Sequence, residues 1–118
     1  MAVMLAAMTL LGTPAAAGEA DVIAVKITPR VVGIYNFDVT IRSNDKGWTY
    51  YADAFEVLTV DGRLLGRREL LHPHEDEQPF TRELDDVRIP ASETHVVVRA
   101  RHNPTGYDGL ARIVPVPR

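Results

Sequence analysis

The amino-acid sequence predicts an all-β protein: a seven-stranded antiparallel immunoglobulin/fibronectin-III-like β-sandwich that follows an N-terminal signal peptide. Short apolar runs with a period of two residues recur at spacings of about ten residues, and turn residues separate them. After the leader, no stretch shows the sustained apolar period that an amphipathic helix would need. The Cys-Trp-Cys signature of true immunoglobulin domains is absent. A small open barrel is the alternative fold.

The first two strands are predicted at 21–28 and 35–42, and Pro29 is expected to end the first. The apolar residues expected on the inner face of the first strand are Ile23, Val25 and Ile27. The second strand is the clearest, because four apolar residues alternate with four polar ones, as in an antiparallel strand with one buried face.

The third strand is predicted at 50–60 and the fourth at 63–71. The Asp61-Gly62 pair between them is a strong hairpin signal. The remaining strands are predicted at 80–89, 94–101 and 110–116. Pro90 closes the fifth strand, and a glycine-containing turn at 106–109 leads into the last.

Residues 1–17 predict a signal peptide. An apolar run is followed by a Gly/Pro break and then by Ala15-Ala16-Ala17, the small-residue pattern that a signal peptidase reads, so cleavage is expected before Gly18. No Lys or Arg precedes the run, and it is too short to span a bilayer, which takes about 20 apolar residues. The sequence therefore predicts a periplasmic or secreted protein with one domain at 18–118.

The composition argues against several classes of protein. The chain has no cysteine, which excludes disulfides, thiolate catalysis, Cys-ligated zinc and a lipobox. Its formal net charge of −3 argues against a nucleic-acid partner, which would favour a basic face. There is no second apolar segment, so we expect a soluble mature chain without membrane insertion.

The segment 72–82 is the richest in candidate chemistry. His72 and His74 are two positions apart, so on an extended segment both imidazoles project to one side and could chelate a metal ion, zinc or copper(II). Closing the site would need an oxygen ligand from the adjacent acidic run, or His102 or Asp53 if the fold brings either near. The alternative is a proline-stiffened polar connection between strands four and five.

Two other sets of residues are candidates for a site. Asp53, Glu77 and Arg82 could form an ion-pair cluster that either anchors a charged ligand or clamps a loop to the sheet. Trp48 and Tyr107 are candidate aromatic contacts for a ligand. The alternative for Trp48, which is the commoner role of such a Trp, is to cap the end of the core.

Catalysis finds little support in the sequence. Ser43 and Ser92, the serines after the leader, do not lie in a nucleophile-elbow context, and no histidine adjacent to either is suited to act as a base. No two carboxylates are singled out by their spacing as a glycosidase pair. We therefore expect no catalytic residues and no enzyme activity.

Several blocks of this sequence resemble a family of small exported bacterial proteins of unknown function. The likeness covers roughly 48–110, and its most specific parts are His72-Pro73-His74 and Glu77-Gln78-Pro79-Phe80-Thr81-Arg82. In that family the last turn reads His-Gly-Tyr-Gly-Gly, whereas here it is Thr105-Gly106-Tyr107-Asp108-Gly109, which weakens any metal site that would use that loop. The resemblance implies a periplasmic β-sandwich and no particular activity.

The leading functional prediction is a periplasmic, non-enzymatic binding or accessory module for an unidentified protein or small ligand, with no resident cofactor. The alternative is a zinc- or copper-binding protein that uses His72 and His74.

Overall fold

The computed structural model describes residues 17–118 and contains two antiparallel sheets. The strands are β1 (Ala20–Val31), β2 (Ile34–Ser43), β3 (Ala52–Thr59), β4 (Leu64–Glu69), β5 (Phe80–Arg88), β6 (His95–His102) and β7 (Arg112–Pro115). The smaller sheet has the order β1-β2-β5, and the larger has the order β4-β3-β6-β7. The prediction of an all-β fold is confirmed, and the architecture is consistent with a β-sandwich.

The described residues contain only strands, turns and loops, so no helix among them is long and apolar enough to cross a membrane. The predicted signal peptide lies outside the described residues, apart from Ala17.

One apolar core lies between the two sheets. It forms because the strands bury alternate side chains, and β2 shows this most clearly: Phe37, Val39 and Ile41 are fully buried and the residues between them are half-buried. The larger sheet faces them with Phe55, Val57, Val96 and Val98. Burying each such side chain stabilises the fold by about 1.5–3 kcal/mol relative to leaving it exposed.

The inner face of β1 differs from the prediction. A register shift between Val22 and Ala24 interrupts the pairing with β2. Val22 is therefore fully buried on one side of this bulge, and Val25 and Ile27 pack against the core on the other. Ile23, predicted to share that face, is half-buried like Val25 and Ile27 but is not among the residues that pack against the core.

β1 also continues past Pro29 to Val31, whereas the sequence predicted that Pro29 would end it. The strand lies at the edge of its sheet, so the missing N–H of Pro29 need not break a ladder hydrogen bond. Elsewhere the predicted strands are present, with ends that differ by at most two residues.

The connections at the two ends of the sandwich differ in length. At one end they are short: 32–33, 60–63 and 89–94. At the other end they are 44–51, 70–79 and 103–111, and we call this the long-loop end. Because binding residues tend to lie on loops that a rigid scaffold positions, the long-loop end is where a functional site is expected.

Candidate functional site

A buried carboxylate organises the long-loop end. The side chain of Asp45 is completely shielded from solvent. Its Oδ1 accepts hydrogen bonds from the hydroxyl of Ser43 (2.8 Å) and the backbone N–H of Ala52 (3.0 Å). Its Oδ2 accepts one from the backbone N–H of His74 (2.8 Å). A buried carboxylate without donors would be costly, so these contacts hold the end of β2, the start of β3 and the loop 70–79 together.

The side chain of Gln78 ties the same loop to β2 a second time. Its Oε1 accepts a hydrogen bond from the backbone N–H of Ser43 (2.9 Å). Its Nε2 donates to the carbonyl of His74 (2.9 Å) and to the hydroxyl of Ser43 (3.2 Å). We call Ser43, Asp45, His74 and Gln78 together the Asp45 brace.

His74 lies inside the loop, with its ring stacked on that of Phe80 at 3.9 Å between centroids and 9° between planes. Neither ring nitrogen of His74 has a hydrogen-bond partner, and Nδ1 is 4.0 Å from Oδ2 of Asp45. Burial, and to a smaller degree the positive charge of Arg82, lowers the pKa of His74 below its ordinary value. The imidazole is therefore neutral near pH 7 and covers the end of the core.

His72, by contrast, is exposed, and its Nδ1 lies 3.1 Å from the carbonyl oxygen of Pro73. Its ring centroid is 4.6 Å from that of His74. The structure thus brings the two predicted metal ligands together, but the ring nitrogens of His74 are shielded from solvent. Within residues 17–118 there is no group of three or more His, Cys, Asp or Glu side chains suited to hold a metal ion.

His102, the other histidine considered for a metal site, is fully buried and has a different role. Its Nε2 lies 2.8 Å from the carbonyl oxygen of Asn44. The ring of Tyr50 packs edge-on against it at 4.5 Å. The hydroxyl of Tyr50 donates to the carboxylate of Glu19 (2.7 Å), so this contact ties the N-terminal segment to the long-loop end.

The structure places Asp53, Glu77 and Arg82 in two separate ion pairs. Arg82 donates two hydrogen bonds to Glu77, at 3.0 and 3.4 Å, and so closes the loop 70–79 onto the start of β5. Asp53 pairs instead with Arg101 of β6, because β3 and β6 are neighbours in the larger sheet. The hydrogen bonds from Arg82 lower the pKa of Glu77.

Trp48 stands at the surface of the long-loop end with 66% of its area exposed. Its ring packs edge-on against Tyr51 at 5.9 Å, which supports it from one side. Trp48 and the segment 72–77 line an open depression of about 450 Å³. Glu75 and Asp76 in this wall are exposed, and neither forms an ion pair within the part of the chain that the structure describes.

The other predicted aromatic contact, Tyr107, belongs to a charged cluster on the outer face of the larger sheet. Arg99 lies over the Tyr107 ring at 3.8 Å, and Arg67 donates to the Tyr107 hydroxyl (3.1 Å). Both arginines also donate to the buried carboxylate of Glu56, at 2.6–3.0 Å. Burial raises the pKa of Glu56, but the hydrogen bonds from the arginines outweigh it, and the pKa lies below its ordinary value.

Sequence reasoning missed the Glu56 cluster and the Asp45 brace. Glu56 lies directly opposite Arg67 on one side and Arg99 on the other. That arrangement is visible only once the strand register is known. Asp45 lies in the Asn44-Asp45-Lys46-Gly47 run between the second and third predicted strands, and this run carries an ordinary turn signal that does not reveal a buried carboxylate.

A search of curated proteins finds a relative in Halomicrobium mukohataei that is 41% identical over 96 residues and is described as a "putative lipoprotein". The match covers 81% of this chain, and the chain spans about half the length of the relative (47%). The similarity supports a small protein family that includes this relative. No protein-family model matches the chain, and no solved structure matches it.

Asp45→Ala should destabilise the protein by about 2–4 kcal/mol, since two backbone N–H groups and a hydroxyl would lose their acceptor. Urea unfolding of the variant measures this loss. Asp76→Ala, at an exposed carboxylate of the same end, is the matched control and should change the free energy of unfolding by no more than about 0.5 kcal/mol. Equal effects of the two substitutions would contradict the role assigned to Asp45.

His74 should make the protein less stable in mild acid. Its pKa is lowered in the folded chain, whereas the unfolded chain has a His pKa of about 6.5, so the unfolded state binds the proton more readily. The free energy of unfolding should therefore be highest with respect to this group above about pH 6.5, and it should decrease as the pH drops below that value.

His74→Phe, which keeps the stacked ring, should flatten this dependence in urea unfolding curves recorded between pH 5 and 8. His72→Gln, at the exposed neighbour, should leave the dependence as it is. If the profiles of His74→Phe and the unmodified chain coincide, the assignment to His74 is wrong.

Proposed function

We propose that this chain is an exported, non-enzymatic binding module of the fibronectin-III-like class, which uses the long-loop end to hold a positively charged group of a protein or small ligand. Export is supported by the signal-peptide pattern at 1–17 and by the lipoprotein name of the relative. The exported chain would be periplasmic in a host with an outer membrane and secreted in a host without one.

The strand order supports the fold type. In a constant-type immunoglobulin sandwich, the first, second, fifth and fourth strands form one sheet, and the third, sixth and seventh form the other. Here β1, β2 and β5 form one sheet, and β3, β6 and β7 belong to the other. The difference is β4, which pairs with β3 instead of β5. The loops 44–51 and 103–111 then correspond to the B–C and F–G loops, which bind antigen in variable domains.

The observation that carries the binding proposal is the exposed Trp48 at the edge of a depression whose wall holds the carboxylates of Glu75 and Asp76. A large exposed aromatic ring offers a face for a cation, and carboxylates that lack ion-pair partners offer charge-assisted hydrogen bonds. Together they fit a guanidinium or ammonium group better than an anion or a purely apolar ligand.

The non-enzymatic part of the proposal is supported by the surroundings of Ser43. Its hydroxyl donates to Asp45 and accepts from Gln78, so it is engaged in the brace, and among the described residues it forms no hydrogen bond with an imidazole. Both nitrogens of His74 are shielded, which leaves that residue without access to a substrate.

The single tryptophan of the chain allows a direct test. Titration with an oligo-arginine peptide should change the Trp48 fluorescence saturably, and an oligo-glutamate peptide of the same length should leave it unchanged. The combined substitution Glu75→Gln and Asp76→Asn should weaken the arginine response at least tenfold, whereas Asp38→Asn, on a strand of the smaller sheet, should have no effect.

Free arginine amide distinguishes the source of the cation: a comparable response to it indicates a small-ligand site, and a response to the peptide alone indicates a protein partner. An equal response to the arginine and glutamate peptides, or no response to either cationic probe, would contradict the proposal.

Metal binding is the second candidate function, favoured by one observation: the rings of His72 and His74 lie 4.6 Å apart, and both nitrogens of His74 lack hydrogen-bond partners. The loop would have to shift to expose them. Calorimetric titration with Zn²⁺ and Cu²⁺ should then show a heat of binding. The substitutions His72→Ala and His74→Ala should each abolish this heat, and the control His95→Ala should preserve it. Absence of heat, or heat unchanged in the double variant, would end this candidate.

A further inference from the structure

The carboxylate of Asp21 is buried at the start of β1, with 3% of the residue exposed. Its Oδ1 accepts hydrogen bonds from the backbone N–H of Gly18 (2.9 Å) and of Leu110 (2.7 Å). Among the described residues no cationic side chain lies within 4.0 Å of it. A buried carboxylate is normally paired with a cation, so the two neutral donors leave Asp21 without its usual partner.

The chain around Gly18 is fitted closely to the turn before β7. A Cβ built on Gly18 would lie 2.5 Å from the carbonyl oxygen of Asp108, and one on Gly109 would lie 1.8 Å from the carbonyl oxygen of Ala20. Both positions therefore require glycine. The close packing of Gly18 against the turn at Asp108 and Gly109 holds the backbone nitrogen of Gly18 next to Asp21.

The predicted cleavage site adjoins the same nitrogen. Ala15-Ala16-Ala17 predicts hydrolysis of the Ala17–Gly18 bond, and Ala17 is exposed. An endopeptidase of the signal-peptidase class would add water across this amide, with the hydroxyl going to the Ala17 carbonyl carbon and the proton to the Gly18 nitrogen. At neutral pH the new amine takes up a second proton and becomes an ammonium group, since α-amino groups have a pKa of about 7.7–8.0.

We propose that Gly18 becomes the N-terminal residue of the exported protein and that its α-ammonium group forms a buried ion pair with Asp21. Cleavage would then replace a neutral donor by the cation that Asp21 lacks, at the distance of 2.9 Å already present. The pair would fix the Asp21 carboxylate, which also accepts the hydrogen bond from the Leu110 N–H, so removal of the leader would stabilise the contact between the start of β1 and the turn before β7.

Four other charged groups surround this position. Asp108 accepts a hydrogen bond from the backbone N–H of Glu19 (3.3 Å), so its carboxylate lies one residue from the new ammonium group. The Glu19 carboxylate accepts hydrogen bonds from Asn44 (3.0 Å) and Tyr50 (2.7 Å). Arg42 lies opposite Asp21 in the β1–β2 register. Arg112 donates to the carbonyls of Val22 (3.1 Å) and Ile23 (2.9 Å). The ammonium group is therefore the closest cation that the fold offers to Asp21.

The experiment begins with export of the full chain and determination of its N-terminus by mass spectrometry, where Gly18 is expected. The stability of this product is then compared with that of a chain that starts one residue earlier, at Ala17, which presents a neutral amide to Asp21. The unfolding equilibrium constant should be at least tenfold larger for the Ala17 form. The difference should vanish when both forms carry Asp21→Asn and should disappear above the pKa of the amine.

A direct measurement avoids any dependence on variant folding. NMR titration of the Gly18 amine in the exported protein should give a pKa above the ordinary range of about 7.7–8.0 for an α-amino group, because the ion pair favours the charged form. An N-terminus elsewhere, equal stability of the two chain lengths, or an ordinary amine pKa would each overturn the proposal. None of these readouts depends on a ligand at the long-loop end.

Discussion

The buried carboxylate of Asp45 sets the geometry of the long-loop end, because a charge without water needs several donors at once. The donors come from the end of β2, the start of β3 and the loop 70–79, so the carboxylate is satisfied only when all three meet. Gln78 repeats the connection between the same loop and β2. A chain without cysteine thus fixes its longest described loop by hydrogen bonds, whereas many other small domains use disulfides.

A loop fixed from behind is a suitable wall for a binding site. The brace holds His74 inward against Phe80, and Trp48, Glu75 and Asp76 remain at the surface around the depression. Residues that are already ordered lose little conformational entropy when a ligand binds, so even a shallow site can be specific. The same contacts tie the stability of the domain to the geometry of the proposed site.

The strands were predictable from sequence because their apolar alternation is local, and β2 follows it throughout. The bulge in β1 was not, since a single extra residue changes which side chains face the core without altering composition. The pairing of Glu56 with arginines on both neighbouring strands depends on register, which local patterns do not contain. The histidine-rich segment stands out in the sequence, but His72 and His74 share one parity, so the pattern does not separate the exposed His72 from the buried His74.

Amide hydrogen exchange of the full chain, followed residue by residue by NMR, tests the central claim most directly. If Asp45 holds the long-loop end together, the N–H groups of Ala52 and His74 should exchange as slowly as those in the centre of β3 and β6, because all open only when the fold opens. The exchange rate of the N–H of the exposed Asp76 serves as the reference for a loop amide that Asp45 does not hold. Exchange of the His74 amide at the rate of Asp76 would contradict the account.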